Sequence, residues 1–151
     1  MAHERAAADL AVHRQPAGQR RYLQHRQQRL HPGQLALVVA GQKTHAGPSG
    51  HQALALVLRD PQGRIGGGLW GATGFGWLYT QMLVVPASAR GQGLGRALMA
   101  AAEAEAHRRG CHHAWVDTQF GARGFYERLG YTVFGELPDY PPGFVRSFLS
   151  K

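Results

Sequence analysis

Residues 89–99 read ARGQGLGRALM, with glycines at 91, 93 and 95, arginines at 90 and 96, and an alanine-rich run behind them. Ordered glycine costs conformational entropy, so three in five residues need a purpose. A glycine loop that opens a helix makes an anion cradle. The first helical N–H groups lack intrahelical acceptors, the aligned peptide dipoles add partial positive charge, and glycine lets the backbone approach a phosphate. The first turn of this helix carries no Asp or Glu, and Arg90 and Arg96 flank it; an external anion would supply the missing negative charge. A P-loop requires G-x-x-x-x-G-K-[ST], and no Lys, Ser or Thr directly follows these glycines. The dinucleotide fingerprint G-x-G-x-x-G meets Arg96 where its third glycine belongs, although Asp117 stands at a strand end further on. The third pattern, R-x-x-G-x-G, is matched by Arg90, Gly93 and Gly95 after a strand ending in LVVP.

The elements that must hold this loop follow from periodicity. Residues 51–60 alternate apolar side chains on both faces and predict a strand. DPQG (60–63) has the chemistry of a type I turn, and residues 64–73 return as a glycine-softened strand, making a hairpin. Residues 76–85, GWLYTQMLVV, predict a long apolar strand stopped by Pro86. A helix over roughly 93–109 comes next. Leu94, Leu98, Ala101 and Glu105 mark one line of it, with Ala97 and Ala104 beside it. Arg108 and Arg109 suit its negative end, and Gly110 suits its cap. Residues 111–118 (strand), 121–130 (short helix), 131–137 (strand) and a final strand FVRSFLS complete a mixed α/β sheet. Upstream, residues 34–45 predict a short helix before the breakers AGPSG. Residues 1–34 are rich in Arg, Gln, His and Ala with one β-branched residue, Val12. That composition argues against a core strand and sets them apart as an atypical polar, basic segment, either helical or poorly ordered. The domain proper is expected over 35–151.

Length and composition bound the function. A chain of 151 residues fits one domain with a real core. Cys111 is the only cysteine, so no intrachain disulfide can form and a reducing, cytoplasmic setting is the simpler reading. Cys111 itself reads as a small buried filler. The longest purely aliphatic run, LALVVA, has six residues, too few for a signal core or a membrane span. The net charge of +8 asks for an anionic partner. The basic residues are scattered, which favours a phosphate-bearing small molecule over nucleic acid. No His pair among the nine histidines has ligand spacing with Cys or acids around it, so no metal is expected. Adjacent His112 and His113 would face opposite sides of their strand.

LVVPASARGQGLGRALMAAAEAEAHRRG, followed some thirty residues on by ARGFYERLGYTVFGEL, resembles the acetyl-CoA-binding segment of GNAT-type N-acetyltransferases and the helix and strand that follow it there. The resemblance covers about residues 50–151. It implies a mixed, mostly antiparallel, twisted sheet with helices on both faces, splayed between the strands at 76–85 and 111–118 to admit acetyl-CoA as acetyl donor. Leu83, Val84 and Val85 would pair with the pantetheine arm through main-chain groups. Arg90, Gly91, Gln92, Gly93, Leu94, Gly95 and Arg96 would wrap the pyrophosphate, and Gln119 stands where many relatives place a cofactor-facing Asn.

The implied reaction is acetyl transfer to a primary amine by direct attack. A backbone N–H of the 76–85 strand would polarise the thioester oxygen, and Tyr126 would protonate the departing thiolate. The alternative for Tyr126 is a core aromatic beside Phe125 and Tyr131. An alkylammonium with an ordinary pKa near 10.4 must first lose a proton. The strand where relatives often carry a carboxylate has none here, and Asp117 and His113 are substitutes that read better as structural. Glu136 and Asp139, in a loop bordering the acceptor side of relatives, would suit a cationic amine or form a solvated turn. Trp70, Trp77 and Tyr79 either line that groove or fill core. The acceptor is a small-molecule or protein amine, no membrane partner is expected, and a homodimer is left open. The rival reading is a non-catalytic basic module that binds CoA, phosphate or nucleic acid on the same fold.

Overall fold

The computed structural model describes residues 10–12, 47–60 and 62–151. Among them the chain runs β1 (Leu10–Val12), β2 (Gln52–Arg59), β3 (Ile65–Gly74), β4 (Trp77–Val84), α1 (Leu94–Arg108), β5 (His113–Thr118), α2 (Arg123–Glu127), β6 (Thr132–Pro138) and β7 (Val145–Ser150), with a 3-10 turn over Ala87–Ala89 between β4 and α1. The strands form one open sheet in the order β1-β2-β3-β4-β5-β7-β6. Neighbours are antiparallel except β4 and β5, which are parallel and joined through α1, as a helical crossover requires. The hairpin between β2 and β3 closes on a Gly63 N–H to Asp60 carbonyl bond of 2.8 Å, and the Asp60 carboxylate accepts from the Gln62 and Arg64 backbones. The mixed sheet expected from the sequence is present.

The core follows from strand alternation. Leu54, Leu56 and Leu58 of β2, Leu69 and Thr73 of β3, Leu78 and Thr80 of β4, Ala114 and Val116 of β5 and Leu149 of β7 are buried and share one face through the pairing register. Leu98, Met99, Ala102 and Ala106 of α1 and Tyr126 of α2 join the same core. Each large apolar side chain removed from water there contributes about 1.5–3 kcal/mol. The buried stripe of α1 differs from the line expected. It runs through Leu98, Met99, Ala102, Glu105 and Ala106, while Ala97 and Ala104 are exposed. Leu98 and Met99, the largest apolar groups in the middle of the helix, lie side by side and turn that face inward, with Ala102, Glu105 and Ala106 following at helical spacing. Glu105 is buried because Arg108 and Arg109 both pair with it, and Arg109 also donates to the Gln52 and Ala53 carbonyls and the Thr73 hydroxyl. The C-terminus closes as a Schellman motif: the Gly110 N–H reaches His107 O at 2.9 Å and the Cys111 N–H reaches Ala106 O at 2.9 Å.

One difference from the sequence reading concerns the upstream segment. Residues 1–34 argued against a core strand, yet Leu10–Val12 pairs antiparallel with Leu56–Leu58. It is a three-residue strand at the sheet edge, which asks little of β propensity. The helix expected over 34–45 lies outside the described residues, so the helices described here are the two that join the one core. No described helix is long and apolar enough to cross a membrane.

The feature that matters most for function is where β4 leaves β5. Their pairing covers only Trp77–Thr80 against His113–Val116. Beside that point Trp70 pairs with Met82 and Gly71 with Thr80, so Gln81 has no opposing residue. This β-bulge bends β4, and its last residues carry an unpaired edge into the gap.

Candidate active site

The gap opens into a cavity of about 860 Å³. One wall is the end of β4 with Val85 behind it, and the floor is the glycine loop and first turn of α1. The sequence-predicted Leu83, Val84, Val85, Arg90, Gly91, Gly93, Leu94, Gly95 and Arg96 all line it. Gln92, Gln119 and Tyr126 are not part of the lining.

The local backbone explains the glycines. Gly91 and Gly93 have φ of 76° and 79°, the left-handed region that other residues resist. Gly93 is the N-cap of α1, no side chain caps the helix, and no acid occupies its first turn. Its first N–H donors are therefore left for an external acceptor. Gly95 serves packing: a Cβ there would meet the Phe125 ring at 3.2 Å. Arg90 is partly committed, since its Nε donates to the Val85 carbonyl at 3.2 Å.

Two polar atoms beside the gap await partners. Gln119 Oε1 and Thr80 Oγ1 are buried without a hydrogen bond among the described residues. Buried polar atoms are normally satisfied, and the Gln119 oxygen lies just past the end of β5. Tyr126 is buried and packs edge-on to Phe125 and Tyr131, with ring centroids 5.0 and 6.0 Å away. Burial, with a smaller push from the Asp117 charge, raises its phenol from 10 to about 12. Its hydroxyl makes no hydrogen bond among the described residues, whereas the Tyr131 hydroxyl is taken by Glu103 at 2.9 Å. Tyr126 is thus a core ring whose hydroxyl is uncommitted among the described residues.

The opposite face of the sheet, at the same gap, holds a second polar group. Asp117 accepts from the Tyr79 hydroxyl at 2.9 Å on Oδ1 and from Arg146 Nε at 2.6 Å and Nη2 on Oδ2. Both of its oxygens are thus committed to structural partners, and it stands as an orienting residue. Burial and this hydrogen bond raise the Tyr79 phenol from 10 to about 12. The Tyr79 ring stacks on Trp115 at 3.7 Å, and the Arg146 guanidinium lies 5.2 Å from the Tyr140 ring centre. His113 stacks on Trp77 while His112 meets His107 edge-on, so the adjacent histidines diverge as expected. Glu136 pairs with Arg123 at 2.9 Å and accepts from Ser147, and Asp139 accepts the Gly143 N–H at 2.7 Å. Glu136 lies within β6 rather than in the loop, and Asp139 alone matches the solvated-turn reading.

Sequence reasoning missed Ala122, Phe125, Arg128 and Leu129, which form the far wall of the cavity. Their spacing, one face of ARGFYERLG, was a legible signal. Arg146 was missed as well, because nothing local links residue 146 to Asp117; β5–β7 pairing does so, with Asp117 opposite Phe148.

Residues 51–133 match the model of the acetyltransferase (GNAT) domain. The chain is 40% identical over 115 residues to an acetyltransferase of Agrobacterium fabrum, covering 76% of this chain and 84% of that protein. It is 46% identical over 92 residues to the blasticidin-S acetyltransferase of Streptomyces morookaense, covering 60% and 68%. The crystal structure of an acetyltransferase from Bacillus cereus superposes with a TM-score of 0.72 at 27% identity, over 86% of this chain and 98% of that one.

Proposed function

Since the chain belongs to the GNAT acetyltransferase family and is an acyltransferase, we propose that it moves an acetyl group from acetyl-CoA to a primary amine by direct attack. The observation that carries this reading is the continuous path from the unpaired edge of β4 to an acid-free, uncapped helix start. An extended amide-bearing arm and a pyrophosphate need those two features in that order. The buried, partnerless Gln119 Oε1 supports the same occupant.

Acetyl-CoA, when bound, supplies an acetyl group activated as a thioester. The first N–H groups of α1 and the guanidinium of Arg96 hold the pyrophosphate, with Arg90 and Gln92 bordering it on the loop. Leu83, Val84 and Val85 offer main-chain donors and acceptors along the gap. A β4 N–H near the bulge at Gln81 polarises the acetyl oxygen as negative charge grows there. The neutral amine nitrogen forms the new C–N bond while the C–S bond breaks; the Tyr126 hydroxyl gives its proton to the departing sulfur, and the surplus proton on the nitrogen passes to solvent water, from which the phenolate is reprotonated. A raised phenol keeps that proton in place across the neutral range. The acceptor is a small-molecule amine, a reading supported by the relative named for blasticidin-S.

Thermal shift tests the donor: acetyl-CoA should stabilise the protein, while NAD and ATP should not. Free-thiol release with a panel of amines then tests turnover. No stabilisation by acetyl-CoA or CoA would refute the reading.

A further inference from the structure

Resting on the acetyl-transfer reading, we propose that the Asp117–Arg146 cluster is the acceptor subsite, and that the acceptor amine also carries a carboxylate on an aromatic-sized apolar body. Position argues first. Val116 is the last β5 residue paired with β4, so Asp117 stands where the two strands part, on the face away from the core. A group held there lies beside the gap that the cavity opens from.

Charge argues second. Arg146 spends Nε and Nη2 on the single oxygen Oδ2 of Asp117, and Nη1 makes no hydrogen bond among the described residues. The Arg146 side chain is 28% exposed and that of Asp117 10%. The carboxylate therefore fixes the guanidinium from beneath while the remaining donors face outward, in the planar fork that suits a carboxylate. The acids that would have welcomed a polycation are engaged elsewhere: Glu136 with Arg123 and Ser147, Asp139 with the Gly143 backbone. What the cluster presents is an oriented positive group.

The surrounding rings argue third. Tyr140, Phe120 and Phe144 are 52%, 61% and 47% exposed. Tyr140 lies over Arg146, and Phe120 meets Phe144 edge-to-face at 4.8 Å. Phe120 has φ of 56°, a conformation that a bulky residue adopts at a cost. An exposed aromatic held that way fits a wall for an apolar ligand.

Calorimetric titration of the CoA-saturated full chain with 3-phenylpropionate and with 3-phenylpropanamide tests this without relying on turnover. The carboxylate should bind at least tenfold more tightly than the amide, the scale of a charge-assisted hydrogen bond. The difference should vanish in Arg146→Gln. Because Arg146→Gln leaves the Asp117 charge without its cationic partner, the double variant Asp117→Asn/Arg146→Gln, which removes both charges, should fold and show the same loss. Equal binding of the two probes, no binding of either, or a preference that survives both variants overturns the proposal. Stabilisation by acetyl-CoA in the same protein would then leave the donor reading intact.

Discussion

Tyr126 and Gln119 stand at the point where structure and chemistry compete for one side chain. Tyr126→Phe keeps the ring that packs on Phe125 and Tyr131 and removes only the hydroxyl. Turnover should fall about 100-fold, the low end for a lost general acid, while CoA binding and melting temperature hold. A variant that turns over at the parent rate would reduce Tyr126 to a core aromatic. Gln119→Leu separates the two roles from the other direction. Its Oε1 is a buried orphan, so an apolar replacement should leave stability nearly unchanged or raise it. If that oxygen accepts from the donor's arm, KM for acetyl-CoA should rise about tenfold, roughly one hydrogen bond. The sequence singles out Gln119 because it occupies a motif position; it does not single out Arg146, whose meaning depends on a partner 29 residues away.

Elements bring these residues together, and their boundaries were the most readable part of the chain. Alternation in β2, glycine-softened β3 and the apolar β4 are local patterns, and so is the start of α1 at a glycine loop. The bulge at Gln81 was not readable, since it arises from register between two strands. Nor was the buried stripe of α1, because alanines on both sides of the helix leave its facing to the few larger residues. Two substitutions test the placement of α1. Gly93→Ala forces a side chain into the left-handed region at the N-cap, which costs about 1–2 kcal/mol; chemical denaturation should show that loss together with weaker acetyl-CoA binding. Glu105→Ala at the other end leaves Arg109 facing the Gln52 and Ala53 carbonyls without its carboxylate. Breaking a buried pair on one side costs about 3–5 kcal/mol, so this change should destabilise more than Gly93→Ala yet leave the affinity for CoA of the folded protein unchanged.

At the scale of the whole molecule, three phenols link both faces of the sheet to alkaline stability. Tyr79, on the face of the sheet that carries Asp117, and Tyr126, in the core, are each raised to about 12, chiefly by burial. Tyr131 is raised further by burial and by Glu103. An unfolded chain releases tyrosine protons near pH 10, whereas the folded chain holds those of Tyr79 and Tyr126 until about 12 and that of Tyr131 longer. Above pH 10 the folded state therefore binds more protons than the unfolded state, and stability must fall as pH rises. The contribution is complete below pH 10 and is lost as the pH climbs through 12. Phenolate absorbance should show these tyrosines ionising late, in step with loss of near-ultraviolet dichroism, because ionising the core phenols disrupts the packing that raises them. Tyr126→Phe should remove one late proton and leave the Tyr79 step in place. Ionisation of all three near pH 10 with the fold intact would mean that the core around α1 and α2 admits water, and that Tyr126 is not held ready as a neutral donor.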